Sequence, residues 1–202
     1  MPAGGAVKKY KVCEILDQSD NTEIQGPLDV TMVEGFRASY RKHMKGDPHP
    51  DRDPIDEQWW IFGLRMQAGG SCYADLAIVT PYGKRVGKQL KFRTHIPVGD
   101  GRYETRELAG PANYNIWEYK FRIQQSLAIG CGALTPTTAL DWERFIESLI
   151  KEHPECWGLL YVAEDRARQE YSHNIKRRAE RAKADGAVWA ADYDGSSYGG
   201  GS

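Results

Sequence analysis

Three segments decide how this chain folds: Tyr73-Ala-Asp-Leu-Ala-Ile-Val-Thr80, Lys88-Gln-Leu-Lys-Phe-Arg-Thr-His-Ile-Pro97 and Arg102-Tyr-Glu-Thr-Arg-Glu-Leu108. The first is rich in residues that favour strands. The second alternates Leu90, Phe92 and Ile96 with Lys91, Arg93 and His95, the period of two expected of a strand with one buried face. Pro81-Tyr82-Gly83-Lys84 and Gly99-Asp100-Gly101 have turn chemistry. Together these features predict a three-stranded antiparallel β-meander.

On both sides of the meander the period lengthens to that of a helix. Upstream, Tyr10 to Leu16 reads as a short strand or a helical turn. Thr31 and Glu34 have capping-box spacing ahead of a helix to about Met44. Proline makes Lys45 to Asp53 a loop. Asp53 can cap a helix that has Pro54 in its first turn, buries Trp59, Trp60 or Leu64 and runs to about Gln67 before Gly69-Gly70.

Downstream of Gly110-Pro111, Asn113 or Asn115 can cap a helix that stops at Gly130-Cys131-Gly132. Another opens between Thr135 and Thr138, with Trp142, Phe145, Ile146, Leu149 and Ile150 on one stripe. Pro154 precedes a last helix from about Glu155 to Ala184, whose inner face is predicted to be Leu160, Ala163, Ala167, Tyr171 and Ile175. The expected architecture is α+β. A single domain over residues 10–184 would lie between a flexible stretch, 1–9, and a disordered tail, 185–202, rich in Gly and Ser.

The 202 residues and 41% hydrophobic content are enough for one ordinary core. The longest apolar runs, Trp59 to Leu64 and Trp157 to Ala163, fall short of the ~20 residues of a membrane span. The N-terminus lacks the apolar stretch of a signal peptide. An intracellular protein, cytoplasmic or nuclear and not membrane-bound, is expected. Cys13, Cys72, Cys131 and Cys156 lack the spacing of a disulfide scaffold and are read as reduced, semi-buried thiols.

Charge is segregated along the chain. Lys84, Arg85, Lys88, Lys91 and Arg93 form one cluster without an acid. Arg166, Arg168, Lys176, Arg177, Arg178, Arg181 and Lys183 form a second, against Glu170 and Glu180. Each segment carries +5 in a chain whose formal net charge is −1. Clustered cations of this kind bind phosphate backbones through contacts that carry affinity without sequence information. The first expectation is therefore a non-catalytic partner of RNA or DNA. The competing account is that both are ordinary solvated faces balanced by acidic loops of the same domain.

Catalytic patterns are sparse. Asp75, followed after a hairpin by Gln89-Leu90-Lys91, is a degenerate form of the metal-dependent nuclease arrangement in which Asp and Glu hold Mg²⁺ and Lys orients water. A neutral amide stands here at the Glu position, which lowers metal affinity. His153-x-x-Cys156 straddles a proline and lacks a second ligand pair, so no metal is assigned. Phosphate-binding glycine loops are absent, and no cofactor is called for.

Several motifs resemble a module in predicted proteins of dinoflagellate mobile elements, notably retrotransposon-like reading frames. They are Tyr73-Ala-Asp75-Leu-Ala, Pro81-Tyr-Gly83-Lys-Arg85, Leu90-Lys-Phe92, the Gly110-Pro111 step, Pro154-Glu-Cys-Trp157 and Ala163-Glu-Asp165-Arg-Ala-Arg168-x-Glu170, spread over residues 73–183. The resemblance implies a nucleocapsid-like or mobile-element-associated protein that coats RNA or assists replication. This chain lacks the zinc knuckle of such packaging proteins. A further alternative is a self-assembling coat or capsid subunit, a homo-oligomer, prompted by Trp59, Trp60, Trp117, Trp142 and Trp157.

Overall fold

A computed structural model describes residues 7–80 and 89–185, apart from the side chains of Ala179, Ala182 and Lys183. The chain opens with β1 (Lys9–Lys11), the one-turn α1 (Val12–Ile15) and β2 (Glu23–Gln25), so both alternatives for Tyr10 to Leu16 are realised in succession. β1 and β2 pair antiparallel with Tyr10 opposite Ile24. The helices α2 (Val30–Met44) and α3 (Asp56–Gln67) follow, then the hairpin β3 (Lys91–Gly99) and β4 (Arg102–Ala109). Three helices complete the described fold: α4 (Tyr114–Gly130), α5 (Pro136–Glu152) and α6 (Trp157–Ala184).

The helix starts show which polar residue wins each cap. Asp29, and not Thr31, caps α2 by accepting from Met32 N at 3.0 Å. Asp53 is drawn away from α3 by the guanidinium of Arg37 at 2.7 Å. The free start of α3 is served instead by Gln58, whose Oε1 accepts from Ile55 N at 3.0 Å. Asn113 caps α4 and Thr135 caps α5, each accepting from the backbone three residues on, at 3.0 and 3.1 Å. These side chains satisfy donors that a helix start leaves without intrahelical partners.

The β3–β4 turn runs through Gly99, Asp100 and Gly101, all at positive φ (97°, 51° and 71°), which explains two glycines in three residues. The third strand of the expected meander does not form. The sheets are β1–β2 and β3–β4, two strands each. Residues 71–80 instead make a buried strap with a tight turn, in which Ile78 N and Val79 N both donate to Asp75 O at 3.0 Å.

The tight turn at Asp75 breaks the extended run, and the burial pattern is not that of a half-buried strand. Cys72, Ala74, Leu76, Ala77 and Val79 are all buried, where a two-sided strand would alternate. The strap's carbonyls are met by side chains: Gln124 donates to Cys72 O at 3.3 Å, Arg168 to Ala74 O at 2.9 Å, Lys120 to Val79 O at 2.5 Å and Gln58 to Thr80 O at 3.1 Å. Arg65 donates to Tyr73 O.

The strap also joins two apolar clusters. Ala74 and Val79 pack with Leu16, Trp59, Phe62, Ile123 and Leu127. Leu76 packs with Trp117, Phe121, Ile146, Trp157 and Tyr161, against which Phe92 of β3 also rests. Burying one such leucine contributes roughly 1.5–3 kcal/mol.

Two further expectations need correction. Phe145, placed on the α5 stripe, is 56% exposed, while Ile146 supplies the buried contact. The inner face of α6 is Trp157, Tyr161, Glu164, Arg168, Ser172 and Ile175, and Ala163 lies outside. Of the predicted inner residues Ile175 is buried, Tyr171 packs against the core and Leu160 and Ala167 are half-buried; apolar spacing misplaced Ala163 and missed Glu164 and Arg168 because those inward residues are charged. Cys72 is buried and Cys156 exposed, with Cys13 and Cys131 between these extremes; all four are free thiols.

Among the described residues, no helix is long and apolar enough to cross a membrane. The turn at Pro81–Lys84 and the tail beyond Asp185 lie outside the described residues.

Arg168 and Glu164 form an ion pair at 2.6 Å with side chains only 4% and 1% exposed. Truncation of Arg168 to methionine strands the buried carboxylate and the Ala74 carbonyl. It is expected to lower unfolding free energy by about 3–5 kcal/mol in urea titration. The double variant Arg168→Met/Glu164→Leu should recover part of that loss.

Candidate functional site

Where the strap passes α6, a polar cleft of about 530 Å³ opens, with Asp17, Ser71, Tyr73, Asp75, Tyr161 and Asp165 in its lining. Its position follows from the strap: the residues that place Ala74 and Leu76 inward leave Tyr73 and Asp75 partly facing the opening. α6 contributes Tyr161 and Asp165 one turn apart.

The carboxylates of this cleft are held from behind. Asp165 Oδ1 accepts from Tyr73 OH at 2.8 Å and from Arg168 Nη2 at 2.7 Å, while Oδ2 accepts from Gln169 Nε2 at 2.8 Å. Asp17 accepts from Ser19 at its backbone N and hydroxyl, and pairs with Arg65 at 3.4 Å. Asp75 Oδ1 accepts from Ala77 N at 2.8 Å. Burial raises the Asp75 carboxyl above its ordinary value, and raises the Tyr73 and Tyr161 phenols so that both are neutral donors at physiological pH. Chemically the cleft offers phenol, amide and carboxylate groups whose charges are largely balanced by cations in its wall.

Behind Asp75, Lys120 is only 4% exposed. Burial lowers its ammonium to about 8, against the opposing attraction of Asp75. It serves the strap, through Val79 O, rather than the cleft. Among the described residues, no three His, Cys, Asp or Glu side chains are grouped so as to hold a metal ion.

The nuclease-like residues are dispersed in their bonding. Asp75 lines the cleft, and Gln89 reaches its rim by donating to the Gln18 side chain. Lys91 stands exposed on β3 and donates to Glu107 Oε1 at 3.1 Å.

Of the first basic cluster, Lys84, Arg85 and Lys88 lie outside the described residues. Lys91 and Arg93 are exposed on β3, but Arg93 sits directly opposite Glu107 of β4. Glu104 and Asp100 pair with Arg106 and Arg102 at 2.8 and 3.7 Å. The described hairpin is thus a mixed-charge ribbon of the kind cross-strand pairing favours.

The second cluster divides in three. Arg168 is withdrawn from any surface contact: its guanidinium is consumed by Glu164, Asp165, Gln124 and the Ala74 carbonyl. Arg166 is exposed and pairs with Glu170 at 2.9 Å. Lys176, Arg177, Arg178 and Arg181 follow Ile175, the last of the described side chains of α6 to be buried. Lys176 has a loose contact with Glu180 at 3.9 Å, and Arg177 donates to Asn174. The side chain of Lys183 is outside the described set.

The structural role of Gln58, Lys120, Gln124 and Arg168 escaped the sequence reading. A usable signal was present for the last: Glu164 and Arg168 fall one turn apart on the face marked by Trp157 and Tyr161. No family model, curated protein or solved structure matches this chain.

Lys120 gives a pH test of the strap. Its folded value of about 8 lies below the ordinary 10.5. Between those limits the unfolded chain holds a proton that the folded chain has lost, so stability rises with pH. The expected gain is up to about 3 kcal/mol. Urea melts at pH 7.5 and pH 10 should show it as an excess over a Lys120→Met variant, in which the increment is absent.

Proposed function

We propose that this chain is a non-catalytic nucleic-acid-binding protein whose main phosphate contact is the outer end of α6. The observation that supports this reading best is the sequence Lys176-Arg-Arg178 with Arg181, following directly on the last anchored residue, Ile175. Beyond that anchor the described side chains of the helix are charged apart from the exposed Ala184. Arg177, Arg178 and Arg181 are exposed and Lys176 is half-buried, a surface that suits a polyanion. Lys91 and Arg93 offer a weaker accessory contact because carboxylates of β4 compete for them. A nucleocapsid-like role in a mobile element is compatible with this, and rests on the resemblance over residues 73–183.

A second reading, a self-assembling coat subunit, draws on Leu140, Phe145, Leu159 and Val162 of α5 and α6, which are 44%, 56%, 47% and 41% exposed. Light scattering across a concentration series separates the two. A chain that stays monomeric cannot be a coat subunit.

For the leading proposal, affinity for a mixed nucleic-acid pool in a filter-binding titration should fall steeply as salt rises. The double charge reversal Arg177→Glu/Arg181→Glu should weaken it at least tenfold at about 0.1 M salt. Thermal unfolding of that variant should match wild type, since both residues lie beyond the core. Absence of retention at low salt would end this reading.

A further inference from the structure

We infer that the outer end of α6 enters the major groove of duplex DNA, with phosphates of both strands beside it. This rests on the nucleic-acid reading above and specifies its partner. Successive residues of an α-helix are turned by about 100°, from 3.6 residues per turn. With Lys176 taken as origin, Arg177 lies at about 100°, Arg181 at about 140° and Arg178 at about 200°. The buried residues Arg168, Ser172 and Ile175 fall between about 260° and 320°, on the opposite side.

The cations therefore occupy the whole arc that α6 does not use for packing, with Lys176 and Arg178 at its two edges. Glu180, at about 40°, and Asp185, at about 180°, are the acids of this segment within that arc, and the 3.9 Å contact of Glu180 with Lys176 is a loose one. A single extended strand lying along a helix touches one narrow ridge and would leave one edge of the arc unused. A groove has phosphates on two sides and uses both edges.

Size and shape favour the DNA major groove. The segment from Lys176 to Asp185 rises roughly 15 Å, at 1.5 Å per residue. The B-form major groove is about 12 Å wide and admits an α-helix, whereas the A-form RNA major groove is deep and narrow. The segment has no Asn or Gln after Asn174 to pair with adenine, and the contact inferred for its cations is to phosphates, which carry no sequence information.

The test is fluorescence anisotropy with the full chain and three labelled probes of matched length: a B-form DNA duplex, one of its single strands, and an RNA duplex. The DNA duplex should bind tightest, with log affinity falling against log salt at a slope of roughly −3 to −4, as about four neutralised phosphates require. Lys176→Ala and Arg178→Ala, at the two edges, should each weaken duplex binding by roughly five- to tenfold at 0.1 M salt and make the slope shallower by about one. Circular dichroism of both variants should match wild type.

Equal or tighter binding of the single strand or the RNA duplex would overturn the groove assignment. So would a loss confined to one of the two edge variants. In either case the nucleic-acid reading would survive. Failure of all three probes to bind would remove both.

Discussion

The structure depends on satisfying the backbone of a segment that cannot be hydrated. Residues 71–80 run through the interior without joining a sheet or a helix, so their carbonyls have no regular partners. An unpaired buried carbonyl costs roughly 1–3 kcal/mol. The fold meets this by pointing donors at the strap from Gln58 and Arg65 of α3, Lys120 and Gln124 of α4, and Arg168 of α6. Much of what is unusual in the core follows from this: a lysine and an arginine inside, a glutamate buried to pair with that arginine, and burial that raises the Glu164 carboxyl while Arg168 pulls it back. Because donors from three helices converge on one strap, their spacing and rotation are coupled. The two apolar clusters meet at the strap for the same reason.

That constraint also explains which parts of the fold could be read in advance. Helix existence was legible wherever an apolar stripe met a capping residue, as at Asn113 and Thr135. The hairpin was legible because Phe92 and Ile96 alternate with exposed partners and Gly99-Asp-Gly101 demands positive φ. The strap was not. Tyr73 to Thr80 has strand composition, and nothing local reveals that its carbonyls are met by side chains 8 to 94 residues away. β-propensity reports fitness for a half-buried pleated surface, and a segment buried on every side shares that composition without the ladder.

The same interior demand distorts the meaning of charge along the sequence. Counting Arg166 to Lys183 as one basic segment treats each cation as a surface group. Arg168 belongs to the core, Arg166 is engaged one turn away by Glu170, and only the residues after Ile175 leave the body of the protein. On the hairpin, Lys91 pairs with Glu107 of the neighbouring strand and Arg93 lies opposite the same residue, so a run of cations on β3 becomes a mixed surface once β4 is beside it. Segregation along a chain becomes segregation in space only where no second element lies alongside. Among the described residues, those of α6 beyond Ile175 are mostly exposed and come nearer to that condition than the hairpin does.

This division has a consequence for how stability and binding relate. Arg177, Arg178 and Arg181, exposed beyond Ile175, are not part of the buried core, so substitutions there are expected to cost little in folding. Gln58, Lys120, Gln124 and Arg168 have no such freedom, because each serves a carbonyl of the strap. The cleft beside α6 lies between these regimes: Tyr73 and Asp165 line it while bonded to each other and to Arg168. Any ligand that drew Asp165 away would have to compete with that arginine, and would loosen the Ala74 end of the strap in doing so. Occupancy of the cleft would thus be coupled to the packing of the core, whereas the polyanion contact proposed for the end of α6 would not be.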